Sequence, residues 1–181
     1  MFYKQLLSLL FILPPLLFNS CDKNTIQPSD DISRLPPITM EGKQTFGCLL
    51  NGEVWVYTPR AFNANLSGNY STFFNSLDIL AKRTDPKDQG HTESYIRLDA
   101  DFEQLGVYDF SEVSFFDQKY SNLWPMKKEF LLKEEPHFIE ITHLDLEENI
   151  VSGLFQFTML DTLFGDTLRF TEGRFDYDWA N

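Results

Sequence analysis

The stretch from Phe46 to Tyr57 constrains the fold of this chain most strongly, because it carries a turn signal between two apolar runs. Only Asn51-Gly52 separates the runs, and a two-residue type I′ turn needs positive φ at both residues, which Asn and Gly adopt readily. The segment is therefore predicted to be a β-hairpin. Its short loop fixes the pairing of three couples on one face: Leu50 with Glu53, Cys48 with Trp55, and Phe46 with Tyr57.

This pairing places Trp55 opposite the much smaller Cys48, so that a large side chain fills the space over a small one. Trp55 is therefore expected to belong to the hydrophobic core.

Apolar and polar residues alternate with a period of two along the rest of the chain, and no long amphipathic helix is visible. Ile96 and Leu98 are expected to face inward, for example, and Tyr95, Arg97 and Asp99 outward. Besides the hairpin, strands are predicted at residues 76–82, 94–100, 106–110, 112–116, 137–143, 150–160, 167–171 and 175–177. The pattern predicts an all-β fold, a single antiparallel β-sandwich or barrel of nine or ten short strands with little helix.

Two glycines and one irregular segment interrupt this pattern. Gly153 lies inside a predicted strand and indicates a bulge or a close strand crossing. Glu172-Gly173 is predicted to form a tight turn or bulge in which the glycine takes positive φ. Residues 120–135 fit either a strand or a short helix.

Residues 1–20 have the layout of a secretory signal peptide, with Lys4 in a short positive region, a leucine-rich apolar run and the small Ser20 at the end. The apolar run is too short to span a membrane, which takes about 20 residues. Pro14-Pro15 would also break a spanning helix. We therefore expect the chain to be exported.

The end of this signal resembles a lipobox, the sequence at which bacterial lipoproteins are acylated and cut. Phe18 stands where the usual pattern has leucine, Ser20 is the small residue before the cut, and Cys21 supplies the thiol. The resemblance implies lipidation of Cys21, and two or three acyl chains would anchor the protein stably. The alternative is an ordinary signal peptide cut elsewhere, with Cys21 incidental.

Cleavage before Cys21 would divide the chain into a signal peptide at residues 1–20, a lipidated tether at residues 21–44 and an all-β domain at residues 45–181. The tether contains three prolines, several polar residues and no aromatic residue after the cysteine. This composition is typical of a flexible linker. Residues after Leu35 could instead pack on the domain.

The 181 residues carry a formal net charge of −12, and their number suits one domain with a single core. An acidic protein lacks the basic face that nucleic acid requires, so we expect no nucleic-acid partner. The same charge argues against a domain that lies flat on an anionic bilayer.

The only two cysteines, Cys21 and Cys48, could pair in an exported protein. Acylation of Cys21 would leave Cys48 unpaired. Cys48 stands in a strand-like apolar run, so we expect a small buried hydrophobic residue and not a catalytic thiol.

Two motifs extend beyond this patterning. One is Thr45-Phe46-Gly47-Cys48-Leu49-Leu50-Asn51-Gly52 followed by Trp55. The other is Gly153-Leu154-Phe155-Gln156-Phe157, continued by Gly165-Asp166-Thr167 and by Thr171-Glu172-Gly173-Arg174-Phe175-Asp176. Together they resemble a family of uncharacterised lipoproteins of the Bacteroidota, in which a signal, a lipobox and a proline-bearing tether precede a β-rich domain. With the anchor, the resemblance implies an outer-membrane lipoprotein, periplasmic or surface-exposed. The family has no established activity, so it implies no catalytic residue.

Motifs for catalysis are missing from the sequence, which has no Gly-rich phosphate loop, no Gly-x-Ser-x-Gly elbow and no His-Glu-x-x-His zinc motif. We therefore expect a non-enzymatic protein with no cofactor and no metal site. Carboxylates are abundant, so a pair that acts in glycoside hydrolysis stays an open alternative.

Three side chains are candidates for contact with a ligand or partner. Tyr120 and Trp124 lie in the irregular region and could stack on sugar rings, or else cover one end of the core. Arg174 lies near Glu172 and Asp176 in sequence. It is expected to form a structural ion-pair cluster that fixes the last strand, and the alternative is an arginine that recognises a carboxylate.

These expectations favour a lipid-anchored domain of the cell envelope that binds a ligand or scaffolds a partner protein. A carbohydrate-binding accessory lipoprotein is one alternative, and a barrel that carries a small apolar ligand is another, suggested by the 18 phenylalanines. The expected partners are the membrane, through Cys21, and a glycan or an envelope protein. The sequence does not indicate an oligomeric state.

Overall fold

The computed structural model describes residues 31–59, 66–84, 92–118, 126–161 and 165–180. Two short 3-10 helices cover Ile32–Arg34 and Lys128–Phe130. The strands are β1 (Thr45–Leu50), β2 (Glu53–Val56), β3 (Leu66–Ser71), β4 (Ser76–Thr84), β5 (Thr92–Asp101), β6 (Gly106–Tyr108), β7 (Glu112–Asp117), β8 (Met126–Lys127), β9 (Phe138–Asp145), β10 (Ile150–Leu160) and β11 (Thr167–Asp178).

The strands form two antiparallel sheets that pack on one another, which confirms the all-β prediction. One sheet has six strands in the order β2-β1-β11-β10-β9-β6, and the other has five in the order β3-β4-β5-β7-β8. Of the two predicted architectures the structure is therefore the sandwich. Among the helices of the described residues, none has the length and apolar character needed to cross a membrane.

The β1–β2 hairpin has the predicted register, with Cys48 opposite Trp55 and Leu50 opposite Glu53. Asn51 and Gly52 both have positive φ, 51° and 84°, as the type I′ turn requires. Asn51 also fixes the hairpin to β11, because its side-chain oxygen accepts a hydrogen bond from the Arg169 amide at 2.8 Å.

Aromatic rings fill much of the space between the two sheets. Phe170 stacks on Phe157 at 4.2 Å between ring centroids, and it meets Phe115 of the opposite sheet edge-on at 4.9 Å. Trp55 is buried, as predicted, and its indole N–H donates to the Ser94 hydroxyl of the other sheet at 2.8 Å. Burial of one such ring stabilises the fold by about 2–3 kcal/mol.

The alternation predicted for the five-stranded sheet is also confirmed. Ile96 and Leu98 are fully buried, whereas Tyr95, Arg97 and Asp99 point away from the core and are partly exposed. Their outward direction is what allows these three side chains to form part of a surface site.

The last strand differs from its prediction. The two short strands expected on either side of Glu172-Gly173 are one continuous strand, β11, with a bulge at this point in its pairing with β10. Positive φ belongs to Glu172, at 54°, and not to Gly173. Gly173 is needed for space, because a Cβ there would lie 2.4 Å from the Phe155 ring.

Gly153 also lies at an irregular position, as expected, because the register of β9 and β10 shifts between Ser152 and Gly153. A Cβ on Gly153 would lie 2.3 Å from the Glu140 carbonyl oxygen and 2.6 Å from the Phe175 ring. The irregular region after residue 125 contains β8 and a 3-10 helix, followed by a bridge between Leu131 and Met159.

Residues 35–44, which we call the strap, pack against the outer face of the six-stranded sheet. Leu35 is buried. Pro36 lies over Gly47, where a Cβ would meet the proline ring at 2.9 Å. The described end of the segment predicted as a tether therefore contacts the domain, in line with the alternative that residues after Leu35 pack on it.

A single carboxylate holds the strap in place. Asp176 of β11 is 1% exposed, although it lies on the outer face of the sheet. It accepts hydrogen bonds of 2.5–3.1 Å from the Thr39 hydroxyl, the amides of Glu41, Gly42 and Lys43, and the Ser152 hydroxyl. Burial alone would raise the pKa of this carboxyl, but these hydrogen bonds outweigh burial and hold its pKa below the ordinary 3.8.

We predict that Asp176→Asn lowers the free energy of unfolding by about 2–3 kcal/mol, because an amide cannot accept from all five donors and brings N–H groups of its own. Denaturant unfolding at pH 7 measures the loss. Glu53→Gln, at an exposed position of the hairpin, is the matched control. An unchanged stability in Asp176→Asn would show that the carboxylate does not hold the strap.

We also predict that the stability difference between wild type and Asp176→Asn depends on pH in the acid range. Because the folded pKa of Asp176 is lowered, its stabilisation is complete above the ordinary carboxyl pKa of 3.8 and is lost as the pH falls through the folded value. The stability difference between wild type and Asp176→Asn should therefore shrink below about pH 4.

Candidate functional site

The residues singled out from the sequence are only partly described. Cys21, Tyr120 and Trp124 lie outside the described residues, so their roles stay predictions. Arg174 lies on β11, on the outer face of the six-stranded sheet.

A second surface, not expected from the sequence as a site, is the outer face of the five-stranded sheet, which we call the polar face. Residues paired in register share a face, so strand pairing lines up side chains across β4, β5 and β7. The rows are Asp78-Asp99-Glu112, Leu80-Arg97-Ser114 and Lys82-Tyr95-Phe116, and Lys127 of β8 extends the second row.

Two stacked rings form one end of the polar face. Tyr95 and Phe116 have their centroids 5.5 Å apart and their planes inclined by 18°. Both side chains are partly exposed. The pair therefore places partly exposed aromatic rings directly beside charged and hydroxyl groups.

Arg97 is the centre of the charged part of the polar face. Its guanidinium donates to both oxygens of Asp78 at 3.1 Å and lies 3.3 Å from an oxygen of Asp99. The fork-to-fork geometry with Asp78 fixes the plane of the guanidinium. Since Arg97 and Asp78 are both more than 40% exposed, this pair adds little to stability and leaves polar groups accessible from solvent.

Asp99 is the most perturbed carboxyl group of the polar face. Its burial is the largest cause that raises the pKa, the negative charge of Asp78 raises it further, and Arg97 acts against both. The resulting pKa is about 7. Asp99 can therefore donate or accept a hydrogen bond near neutral pH, depending on its proton.

A shallow cavity of about 310 Å³ opens on this surface, at the small end of the range for small-molecule sites. Its walls combine hydrogen-bond donors and acceptors with an aromatic ring. The lining residues are Leu80, Lys82, Tyr95, Arg97, Glu112, Ser114 and Lys127.

Arg174 occupies a different pocket, on the opposite side of the sandwich. Its Nη2 lies 3.5 Å from the Glu172 carboxylate, and its Nε donates to the Glu172 carbonyl oxygen at 3.2 Å. Of the two carboxylates expected around it, Glu172 is within ion-pair distance, whereas Asp176 accepts its hydrogen bonds from the strap and Ser152.

An exposed aromatic pair marks one end of the molecule. Phe73 and Phe74, in the β3–β4 turn, are 85% and 71% exposed and contact one another edge-on at 4.8 Å. Phe74 also borders an open cavity of about 410 Å³ with Tyr108. The sequence signal for these rings was two adjacent phenylalanines in a short polar turn.

Cys48 is completely buried, and burial raises the pKa of its thiol, as expected for an inert core residue. Within the described ranges, no three His, Cys, Asp or Glu side chains are arranged to hold a metal ion.

Comparison of the chain with protein-family models, with curated proteins and with solved structures found no significant match. The ligands proposed for the two surfaces are therefore argued from the geometry of those surfaces alone.

We predict that the stability of the protein depends on pH through Asp99. Between the ordinary carboxyl pKa of 3.8 and about 7, the folded state holds a proton that the unfolded state releases. Stability from this group therefore falls as the pH rises through that window. The melting temperature of wild type relative to Asp99→Asn should drop by about 2–4 °C between pH 5 and pH 8.

Glu53→Gln again controls for the loss of one exposed carboxylate. A difference between wild type and Asp99→Asn that does not change with pH would contradict the raised pKa.

Proposed function

We propose that this protein is a lipid-anchored, non-enzymatic binding domain of the cell envelope whose polar face recognises a glycan. The observation that carries the proposal is the open cavity lined by Tyr95, Arg97, Lys82 and Lys127, beside which Phe116 stacks on Tyr95.

The chemistry of the polar face matches that of a sugar. The C–H groups of a pyranose ring pack on aromatic rings, and its hydroxyls donate and accept hydrogen bonds at the same time. Arg97 and Lys82 can only donate, and Glu112 accepts when ionised. Because Arg97 already faces Asp78 and Asp99, its charge is balanced, which favours a neutral polyol over an anion.

The position of the strap supports the same proposal. The strap packs on the outer face of the six-stranded sheet, and the polar face is the outer face of the other sheet. Among the described residues, the chain that follows the predicted tether therefore packs on the side of the domain away from the polar face. The anchor and the ligand would not compete for one surface.

The apolar-ligand alternative receives less support, because aromatic and aliphatic side chains fill the space between the described parts of the two sheets. A protein partner is the remaining alternative to a glycan, and the exposed Phe73–Phe74 pair is the surface that favours it.

We predict that the purified protein binds at least one polysaccharide or oligosaccharide on a glycan array. Tyr95→Ala should weaken binding about tenfold or more, because it removes the ring that lines the cavity. Phe116→Ala should weaken binding less, because its ring contacts Tyr95 and does not line the cavity. The measurement is a titration of the retained glycan against each variant.

Phe73→Ala is the matched control, since it removes a more exposed ring at the end of the molecule and should leave binding unchanged. Failure to bind any glycan, or an equal loss in Phe73→Ala, would refute the assignment of the polar face. Circular dichroism verifies that each variant is folded.

For the anchor, we predict that the full chain, produced in a bacterium that acylates lipoproteins, is labelled by radioactive palmitate and is recovered with membranes. Cys21→Ser should abolish the label and release the protein from the membrane fraction, because a hydroxyl cannot form the thioether. Cys48→Ser is the control and should retain the label. A membrane-bound, labelled Cys21→Ser protein would exclude Cys21 as the acylated residue.

A further inference from the structure

We propose that the pocket around Arg174 binds a small monocarboxylate with a short apolar group. This pocket lies on the outer face of the six-stranded sheet, on the other side of the sandwich from the polar face. The inference is therefore independent of the proposed glycan site.

The walls of the pocket set the size and polarity of the ligand. The pocket has a volume of about 150 Å³ and opens to solvent. Ile38 of the strap, Phe138 and Leu154 form apolar walls. The polar lining groups are Gln156, Arg174 and the carboxylate of Glu172. Such a space suits a carboxylate that carries a few carbon atoms and is too small for a sugar chain.

Arg174 supplies the group that would recognise the carboxylate. Its side chain is only 12% exposed, so its charge acts in a partly desolvated setting, where ionic hydrogen bonds are stronger than in water. Its contact with Glu172 is long, at 3.5 Å, and Glu172 is itself 50% exposed. A planar guanidinium binds a carboxylate through two parallel hydrogen bonds.

The backbone next to Arg174 adopts a conformation that its residue types do not favour. Glu172 holds a φ of 54°, which is uncommon for a residue with a side chain. The bulge at Glu172 shifts the register of β11, so that Arg174 stands opposite Leu154 and Gly47. Bulges that re-aim a side chain are frequent beside binding sites.

The charges near the pocket select a monoanion. Glu172 lies beside the guanidinium, and Glu140 is paired with Leu154 in the neighbouring strand. A dianion such as phosphate would be repelled by these carboxylates more strongly than a carboxylate would be. Glu172 already balances the charge of Arg174 at a long contact of 3.5 Å, so a ligand carboxylate would compete with Glu172 for the guanidinium.

The strap couples this pocket to Asp176. Ile38, a wall of the pocket, lies next to Thr39, whose hydroxyl donates to the Asp176 carboxylate. Release of the strap would therefore remove one apolar wall of the pocket without changing Arg174.

The test is a titration of the purified protein with butyrate, acetate and inorganic phosphate, monitored by the NMR signals of the Arg174 side chain and the Gly173 amide. We expect butyrate to saturate these shifts with a dissociation constant in the millimolar range, acetate to bind severalfold more weakly, and phosphate to bind most weakly. Arg174→Gln should abolish the shift of Gly173, and Arg174→Lys should weaken butyrate about tenfold because the fork is lost.

Two further variants separate recognition from a structural role. Ile38→Ala should weaken butyrate but leave acetate nearly unchanged, because it removes only an apolar wall. Arg169→Gln changes an exposed arginine on the same strand and should have no effect on either ligand.

The proposal is overturned if butyrate produces no saturable shift at Gly173 in folded wild type, if Arg174→Gln binds butyrate as wild type does, or if phosphate binds more tightly than butyrate. Glycan binding by Arg174→Gln is measured in parallel. If Arg174→Gln still binds glycan but no longer binds butyrate, only the Arg174 pocket is affected. If it loses glycan binding but keeps butyrate binding, only the polar face is affected. The two results therefore distinguish failure of this pocket from failure of the polar face.

Discussion

The buried carboxylate of Asp176 is the interaction on which much of the outer surface depends. An ionised group that is 1% exposed on the outside of a sheet is tolerated only if other parts of the chain supply its hydrogen bonds. The strap does so with three consecutive backbone amides and a hydroxyl. In consequence Pro36 covers Gly47 and Ile38 reaches the Arg174 pocket. The strap thereby covers part of one face of the sandwich, and the polar face of the other sheet stays open within the described part of the chain.

Close packing within the six-stranded sheet depends on two glycines in the same way. Gly153 admits the Phe175 ring, and Gly173 admits the Phe155 ring, at distances that no Cβ would allow. Both glycines lie where strand register shifts. The bulge beside Gly173 also places Arg174 in its pocket, so the packing of the core and the geometry of a surface site have a common origin.

Local signals were enough to predict part of this structure. The register of the hairpin follows from Asn51-Gly52 alone, because a two-residue turn leaves one way to pair its strands.

The outward direction of Tyr95, Arg97 and Asp99 follows from alternation, yet their assembly into a site does not. That assembly needs the pairing of β5 with β4 and β7, whose facing residues lie up to 21 positions away. The contacts of Asp176 with the strap span more than 130 residues and have no local signature. The prediction of positive φ at Gly173 was wrong, because Glu172 adopts it. A glycine is needed at position 173 because a Cβ there would overlap the Phe155 ring.

The acidic character of the chain explains why its two candidate surfaces would differ in the ligands they accept. At a net charge of −12 the protein repels anions on average, so an anion can bind only where a cation is shielded from water. Arg174 meets this condition, because it is largely buried and only loosely paired. Arg97 does not, because it is exposed and faces Asp78 and Asp99. A neutral polyol is the class of ligand that the polar face can bind without opposing the charge of the whole protein, since hydroxyls satisfy donors and acceptors equally.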